Sequence, residues 1–247
     1  MLELYNFKQS TCSQKVRFCL AEKGLEWKDT ILDSRKSEQL QPEYLKLNPN
    51  GLVPTLVHDG NVIIDSSVIL EYLDEVFPEI AMVPTDVVKR AWCRKWLRYF
   101  EEVPTPAIRY PSFQNFLIRS FEKLSPEEFD AAAKKRPLRT DFYRRMGTKG
   151  FSDAEMDAAM NNLQQAVDRV DAAVADTGGP WIMGEMLTIA DACYLPSIDR
   201  MDDLSLSHMW DDRPNMAGWY EAIKARPSYA TTYYHGTRLT DLFNSAA

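Results

Sequence analysis

Residues 48–73, which read NPNGLVPTLVHDGNVIIDSSVILEYL, constrain the fold more than any other stretch of the chain. Two short apolar runs, at 52–57 and 62–64, are separated by a His-Asp-Gly-Asn sequence. Asp-Gly and Gly-Asn pairs supply the positive φ that tight turns need, so the pattern predicts a β-hairpin. Pro54 lies inside the first run, where a proline would break a central strand. We therefore expect Pro54 to head the strand, and a cis peptide bond from Val53 is one way to place it there.

The same stretch predicts a place for a ligand. A cis bond before Pro54 would turn the backbone N–H and C=O of Val53 outward, where an extended, peptide-like molecule can pair with them. The sequence from Asp65 predicts an N-cap, followed by a helix with apolar residues on one face. The open N–H groups and positive dipole end of such a helix attract a carboxylate, here at Asp65 and Ser66. An ordinary hairpin followed by a helix explains the pattern equally well.

The residues around this stretch predict an α/β domain. A strand at the N-terminus is followed by a polar turn, a helix, a second strand and a short helix, at residues 2–7, 8–13, 14–23, 25–32 and 37–47. With the hairpin and its helix, the order is β-α-β, short helix, β-β-α. This order predicts a mixed four-stranded sheet in a first domain at residues 1–80.

The remainder of the chain, from residue 85 to 247, reads as an all-helical second domain. Helical patterns cover 87–103, 113–124 and 151–175, and the three prolines between 104 and 111 predict a bend or break. Ser152 with Glu155 forms a capping-box sequence at the start of the longest helix.

Composition excludes several classes of function. The formal net charge of -7, without a basic stripe, argues against nucleic-acid binding. Apolar runs stay well short of the roughly 18 residues that a membrane span needs, and the N-terminus lacks a signal-type sequence. The four cysteines are widely spaced, without CxxC or a nearby histidine, so we expect free thiols, no metal site and a cytoplasmic protein.

The polar turn before the first helix holds the candidate nucleophile chemistry, in the residues Ser10, Thr11, Cys12 and Ser13. A hydroxyl at a helix N-terminus can donate to a thiolate, and a thiol there can have its pKa lowered. Simple capping is the competing interpretation. Lys15 nearby is interpreted as solvated. No GxSxG, HExxH, P-loop or GxGxxG sequence is present.

The chain resembles the cytosolic glutathione transferase family in four motifs: STCSQKVR, NPNGLVPTL, IIDSSVILEYL and LTIADA. This resemblance implies a thioredoxin-like N-terminal domain, an all-α C-terminal domain and usually a homodimer. It implies glutathione as co-substrate, with its γ-glutamyl carboxylate at Asp65 and Ser66, its glycyl end at Gln39 and its backbone along the edge formed by Leu52, Val53 and Pro54.

A narrower resemblance is to the bacterial glutathione-dependent β-aryl etherases. It rests on EKGLEW, YLDEVFPE and KLSPEEFDAAAKKRPLRTDFYRRMGTKGF. It implies that glutathione attacks a small aromatic electrophile, a lignin-derived ether, beside second-domain aromatics; the candidates are Tyr99, Tyr110 and Phe113. As a stripe at helical spacing, these aromatics are equally typical of a core.

The chain departs from these etherases at one informative point. They carry an Asn-Ser pair where this chain has Cys12-Ser13, and in zeta-like members the catalytic hydroxyl matches Ser10. We therefore expect hydroxyl stabilisation of the glutathione thiolate, with Ser13 and Ser10 as the leading candidates. Cys12 is the alternative, as the nucleophile of a glutathione lyase or a thiol-disulfide oxidoreductase. A non-catalytic, ligand-binding protein of the same fold is a further alternative.

Overall fold

The computed structural model describes residues 1–243, and its first part is built around one four-stranded sheet. The strands lie in the order β2-β1-β3-β4, with β1 and β2 parallel and the other two pairs antiparallel. The elements are β1 (Leu2–Asn6), α1 (Thr11–Glu22), β2 (Trp27–Ile31), α2 (Pro42–Leu47), β3 (Thr55–His58), β4 (Asn61–Ile64) and α3 (Ser66–Val76). The mixed sheet and the α/β order are therefore confirmed.

Two helix boundaries differ from the prediction. Ser10 is the N-cap and α1 begins at Thr11, so Cys12 and Ser13 belong to the first helical turn and not to the turn before it. The single helix predicted at 37–47 is split into a 3-10 turn, Glu38–Leu40, and α2. The split falls before Pro42, which has no N–H to continue a helix and instead occupies its first turn.

The rest of the chain is helical. Its helices are α4 (Val87–Glu102), α5 (Pro104–Ala107), α6 (Arg109–Asn115), α7 (Pro126–Lys134), α8 (Thr140–Met146), α9 (Asp153–Thr177), α10 (Ile189–Asp203), α11 (Pro214–Lys224), α12 (Pro227–Thr232) and α13 (Leu239–Phe243). Capping boxes open α7, α9 and α10, as the sequence predicts for Ser152 with Glu155. None of the helices in residues 1–243 combines the length and apolarity of a membrane span.

The stretch between α4 and α9 is where the sequence predicted least well. The proline-rich residues 104–111 form two short helices, α5 and α6, and the helix predicted at 113–124 is wrong. Instead α6 ends at Asn115 and a 3-10 turn follows, because Ile118 and Phe121 turn into a local cluster of apolar side chains. Tertiary packing has overridden local propensity here.

The described residues form two hydrophobic cores. The main core runs continuously from the sheet through α1 and α3 into α4, α9, α10 and α11. We call the second core the aromatic cluster; it lies within residues 109–151 and its neighbour on α9, and its members are Tyr110, Phe113, Ile118, Phe121, Leu124, Phe129, Phe142, Tyr143, Met146, Phe151 and Met156. We call residues 109–151 the α6–α8 segment. The predicted domain boundary between residues 80 and 85 stays a prediction.

Candidate active site

The start of α1 brings the three candidate thiolate partners together. The Ser10 hydroxyl oxygen accepts a hydrogen bond from the Ser13 backbone N–H at 3.3 Å, which satisfies one of the open donors of the helix end. Cys12 is partly exposed in the first turn. Ser13 has no exposed surface, and its hydroxyl has no hydrogen-bond partner within residues 1–243.

These three side chains differ in exposure, and therefore in whether the sulfur of a bound ligand can contact them. Ser10 and Cys12 are both partly open to solvent, so a bound sulfur can approach them at a helix end that favours negative charge. A thiolate cannot touch the Ser13 hydroxyl while that side chain is wholly buried. The geometry therefore favours Ser10 or Cys12 for direct contact with the sulfur.

The residues around Ser10 are held by hydrogen bonds with α10 and with residues 236 and 237. Arg200, on α10, donates to the Gln9 carbonyl at 2.6 Å, and the Gln9 side chain donates to the Gly236 carbonyl, also at 2.6 Å. The Gln14 side chain donates to the Thr237 carbonyl at 3.0 Å. These bonds fix the main chain on both sides of Ser10.

The backbone edge predicted at Val53 is present. The Val53–Pro54 bond is cis, and Pro54 directly precedes β3. Within residues 1–243 no hydrogen bond engages the backbone N–H or C=O of Val53. The neighbouring carbonyl of Leu52 is fixed, because it accepts from the Tyr44 hydroxyl at 2.6 Å and from the Asn48 amide at 2.9 Å.

The carboxylate-binding site predicted at Asp65 and Ser66 is present, with fewer open N–H groups than expected. Asp65 is the N-cap of α3, and its carboxylate already accepts from the Ser67 and Val68 backbone N–H groups, at 2.9 and 3.2 Å. Asp65 itself has φ 73°, a conformation that few non-glycine residues adopt. The Ser66 N–H and hydroxyl have no partner within residues 1–243 and remain available to a ligand.

Gln39 lies beside this edge. Its carbonyl is close to Gly51, and a Cβ at Gly51 would come within 2.7 Å of the Leu40 side chain. Gly51 has φ 61°, so the turn into Leu52 needs glycine for both reasons. The Gln39 side-chain oxygen is buried and has no partner within the described part of the chain.

The substrate-side aromatics are packed rather than open. Tyr110 and Phe113 belong to the aromatic cluster, where the Tyr110 ring lies 4.4 Å from that of Phe151. Tyr99 packs against the main core, with the Arg169 guanidinium 4.6 Å from its ring centroid. The structure thus places Tyr99 in the main core and Phe113 in the aromatic cluster, and Tyr110 packs against both.

Lys15 is the clearest correction to the sequence interpretation. It is wholly buried, not solvated, and its ammonium binds Glu101 at 2.5 Å and the Thr105 hydroxyl at 3.1 Å. Its two partners lie on α4 and α5. Burial raises the pKa of the adjacent Cys193 thiol, which stays protonated at neutral pH.

Sequence reasoning missed Arg109 of the α6–α8 segment, and it interpreted Arg139, in a cluster with Arg136, Arg144 and Arg145, as part of a solvated face more than as a site for a ligand anion. Arg139 lies within electrostatic range of Arg109, Cys12 and Glu101. Both side chains are half-buried, and within residues 1–243 neither forms a hydrogen bond or an ion pair. The other arginines near them are engaged: Arg144 pairs with Asp130 at 3.0 Å.

A cleft of about 880 Å³ separates this segment from the first part of the chain. One wall is residues 36–45, next to Gln39, and the other is α7. Three cations line it, Lys36, Lys135 and Arg136, against the single carboxylate of Glu128. Within the described residues no cluster of His, Cys, Asp or Glu is arranged to hold a metal ion.

Comparison with known proteins gives matches over both parts of the chain. The family model described as glutathione S-transferase, N-terminal domain, matches residues 9–76, and the corresponding C-terminal domain model matches residues 153–222. Protein LigF of Sphingobium sp. (strain NBRC 103272 / SYK-6) is 29% identical over 235 residues, 92% of this chain and 91% of LigF. The tetrachloro-p-hydroquinone reductive dehalogenase of Sphingobium chlorophenolicum is 28% identical over 93% of this chain and 94% of its own.

Solved structures give the same result. The crystal structure of the beta-etherase LigF superposes with a TM-score of 0.84 at 28% identity, covering 94% of this chain and 98% of that one. The zeta-class maleyl pyruvate isomerase superposes with a TM-score of 0.71 at 23% identity, covering 93% and 95%, and so shares the fold.

Proposed function

The chain belongs to the glutathione S-transferase family, and from this premise we propose that it transfers the sulfur of glutathione to a small aromatic electrophile. The specific reaction that we propose is cleavage of a β-aryl ether. The observation that carries the proposal is the unoccupied Val53 backbone edge, which lies in the same domain as the partly exposed Ser10 at the α1 N-terminus. The similarity to LigF, over more than nine-tenths of both chains, supports the choice of ether cleavage.

Glutathione binding follows from groups that the fold leaves open. The Val53 N–H and C=O pair with the cysteinyl backbone of glutathione, as in a short β-bridge. The γ-glutamyl carboxylate binds the Ser66 N–H and hydroxyl at the positive end of α3. The buried, unpaired oxygen of Gln39 lies toward the glycyl end and accepts a hydrogen bond there.

The chemical step is a nucleophilic displacement. The glutathione thiol loses its proton to solvent, and the thiolate is stabilised by hydrogen-bond donation from a hydroxyl and by the α1 dipole. The sulfur then attacks the carbon that bears the aryloxy group. A C–S bond forms as the C–O bond breaks, and the bonding electron pair leaves on the phenolate oxygen, which takes a proton from water.

We assign the thiolate-stabilising hydroxyl to Ser10. Its oxygen already accepts the Ser13 N–H, so its own proton is free to be donated to sulfur. Ser13 is buried and supports the turn. Tyr99, Tyr110 and Phe113 remain proposed substrate-side residues, with Tyr110 and Phe113 acting by holding α6 in place rather than by exposing their rings.

The experiment that tests this proposal measures phenol release from a fluorogenic β-aryl ether, with and without glutathione. The parent protein releases phenol only with glutathione. Ser10→Ala lowers kcat about 100-fold, as expected when one preorganised donor to a developing charge is lost. Ser13→Ala and Cys12→Ser stay within about threefold of the parent. Thermal melting of each variant checks that the lost α1 cap, worth about 1 kcal/mol, has not unfolded the protein.

The same variants separate the rival functions. A Cys12-based lyase or oxidoreductase is favoured by the partial exposure of that thiol at a helix end, and it predicts that Cys12→Ser alone abolishes turnover. Binding of glutathione without turnover of ethers, aryl halides or disulfides would indicate a ligand-binding protein. Turnover of aryl halides but not ethers would refute ether cleavage alone.

We also propose that the protein forms a homodimer through α3 and α4. Three large apolar side chains on these adjacent helices are about half exposed: Val68, Val88 and Trp92. Exposed apolar patches of this kind mark interaction surfaces. Light scattering of the parent should give twice the chain mass, and Trp92→Glu should give the monomer. A monomeric parent at micromolar concentration would refute the dimer.

A further inference from the structure

The α6–α8 segment carries two positive charges for which residues 1–243 offer no counter-ion. Arg109 and Arg139 are half-buried and close enough to repel each other, yet neither forms an ion pair or hydrogen bond there. The carboxylate in the same cluster, Glu101, is bound at 2.5 Å by Lys15. Unpaired charges removed from water carry a large free-energy cost, which a bound anion would offset.

The position of Arg109 is set by its helix. Arg109 and Ser112 are three residues apart on α6 and therefore lie on one face of it. The Ser112 hydroxyl contacts Arg200 at 3.4 Å, and Arg200 also donates to the Gln9 carbonyl. This face of α6 is thus directed toward the loop that carries Ser10.

Arg139 approaches the same place from the other end of the segment. It is the residue before α8, and Cys12 is one of the groups that it interacts with electrostatically. Burial and the neighbouring Arg109 both lower the pKa of its guanidinium, and the group remains charged at neutral pH. The two arginines therefore converge on the α1 N-terminus from two different helices.

The cleft between the segment and the first part of the chain is also lined mainly by positive charges. The cleft between α7 and residues 36–45 is lined by Lys36, Lys135 and Arg136, and its acid, Glu128, is engaged in the α7 capping box. Lys36 is only loosely paired, 3.9 Å from Asp33. A cationic cleft in a protein of net charge -7 raises the local concentration of anions.

We propose that Arg109 and Arg139 bind a carboxylate, or an oxyanion of similar shape, on the electrophile itself. The preferred substrates are then aromatic ethers that carry a free acid group. A guanidinium binds a carboxylate through two parallel hydrogen bonds, and a facing pair of guanidiniums fixes its orientation as well. This inference rests on the proposed function for the nature of the reaction but not for the binding of the anion.

The test compares one β-aryl ether as its free acid and as its methyl ester. We expect the parent to favour the acid in kcat/KM by about 100-fold, the range of charge-assisted hydrogen bonds. Arg139→Gln and Arg109→Gln each lower kcat/KM for the acid about 30-fold and leave the ester within threefold. Arg139→Lys retains part of the preference. Arg144→Gln, which removes an outward arginine paired with Asp130, leaves both substrates unchanged.

Other outcomes overturn the inference. An equal fall for acid and ester in Arg139→Gln would show that the arginines act on the leaving phenolate. A rise confined to the KM for glutathione would show that they bind glutathione. No preference for the acid in an active parent would also refute the inference.

A binding measurement keeps the inference testable without turnover. Calorimetry with benzoate and benzamide, on protein saturated with glutathione and on protein without it, needs no reaction. We expect binding of benzoate but not of benzamide, weakened at least tenfold by Arg139→Gln and unchanged by Arg144→Gln. Absence of benzoate binding in the parent refutes the anion site. Ether turnover without benzoate binding refutes the anion site alone, whereas benzoate binding without turnover of any ether refutes the proposed reaction alone.

Discussion

The sheet-bearing first part of the chain and the α6–α8 segment face each other across one cleft, yet they are built differently. The first part shares the main hydrophobic core with α4, α9, α10 and α11, and it is joined to α4 by the buried Lys15–Glu101 pair. The segment has its own aromatic cluster, but Tyr110 also packs against the main core and Arg200 donates to the Ser112 hydroxyl of α6. A surface ion pair joins Arg145 to Glu155 on α9. The proposed sulfur site thus lies in the part that shares the main core, and the proposed anion site lies in a segment most of whose apolar side chains form a second cluster.

The largest predicted effect breaks the connection between the first part and the helices. Lys15→Met leaves the Glu101 carboxylate partly buried without its cation, and removing one partner of a buried pair costs about 3–5 kcal/mol. Urea unfolding should show this loss in the free energy of unfolding, over the whole transition. The double variant Lys15→Met/Glu101→Gln should recover most of it. No loss in the single variant would mean that the pair does not join the two parts.

A second prediction tests whether the two cores unfold separately. Phe129→Ala removes a buried ring from the aromatic cluster, at a local cost of about 3–5 kcal/mol. We expect faster amide hydrogen exchange in α7 and α8 and little change in the main unfolding midpoint. Leu56→Ala, in the main core, should lower the free energy of unfolding by about 2–5 kcal/mol and lower that midpoint with it. Equal shifts for both variants would show that the molecule has one cooperative core.

A third prediction addresses the loop that the first part contributes to the site. Arg200→Lys retains the charge near Asp203 but shortens the donor that holds the Gln9 carbonyl. We expect kcat/KM to fall about tenfold for acid and ester substrates alike, because misplacing a reacting group is costly. Arg213→Lys, a more exposed arginine paired with Asp168, is the matched control. A change confined to acid substrates would place Arg200 in the anion site.

The smallest effect concerns the surface contact between the segment and α9. The pKa of Glu155 is lowered by hydrogen bonds from the Ser152 backbone and hydroxyl and then by Arg145. Its stabilisation is therefore present above the ordinary value of 4.5 and is lost as the pH falls through the lowered pKa. We expect Glu155→Gln to cost less than about 1 kcal/mol at pH 7 and a smaller amount at pH 3, by thermal melting. An equal cost at both pH values would exclude the ionic contribution.

The difference between the first part of the chain and the α6–α8 segment also explains which features could be predicted from the sequence. The order of strands and helices along the first part of the chain, the Asp65 cap and the Val53 edge follow from local rules, because turns, caps and prolines act within a few residues. The path of residues 113–124 and the burial of Lys15 depend on contacts with distant helices. Arg109 and Arg139 are 30 positions apart, and their convergence on Cys12 follows from how α6 and α8 pack. The local sequence pattern does not indicate which distant residues the packing of the helices brings together.

The hydrogen bonds from Gln9 to Gly236 and from Gln14 to Thr237 connect residues that are 227 and 223 positions apart in the sequence. On the ribosome, the N-terminal strands and α1 emerge first and can begin to fold before the helices are complete. The main chain on either side of Ser10 lacks these bonds until residues 236 and 237 have been translated. A nascent chain that has formed its sheet but not yet reached residues 236 and 237 would therefore lack these bonds on both sides of Ser10, and the proposed site would be completed only after those residues have been translated.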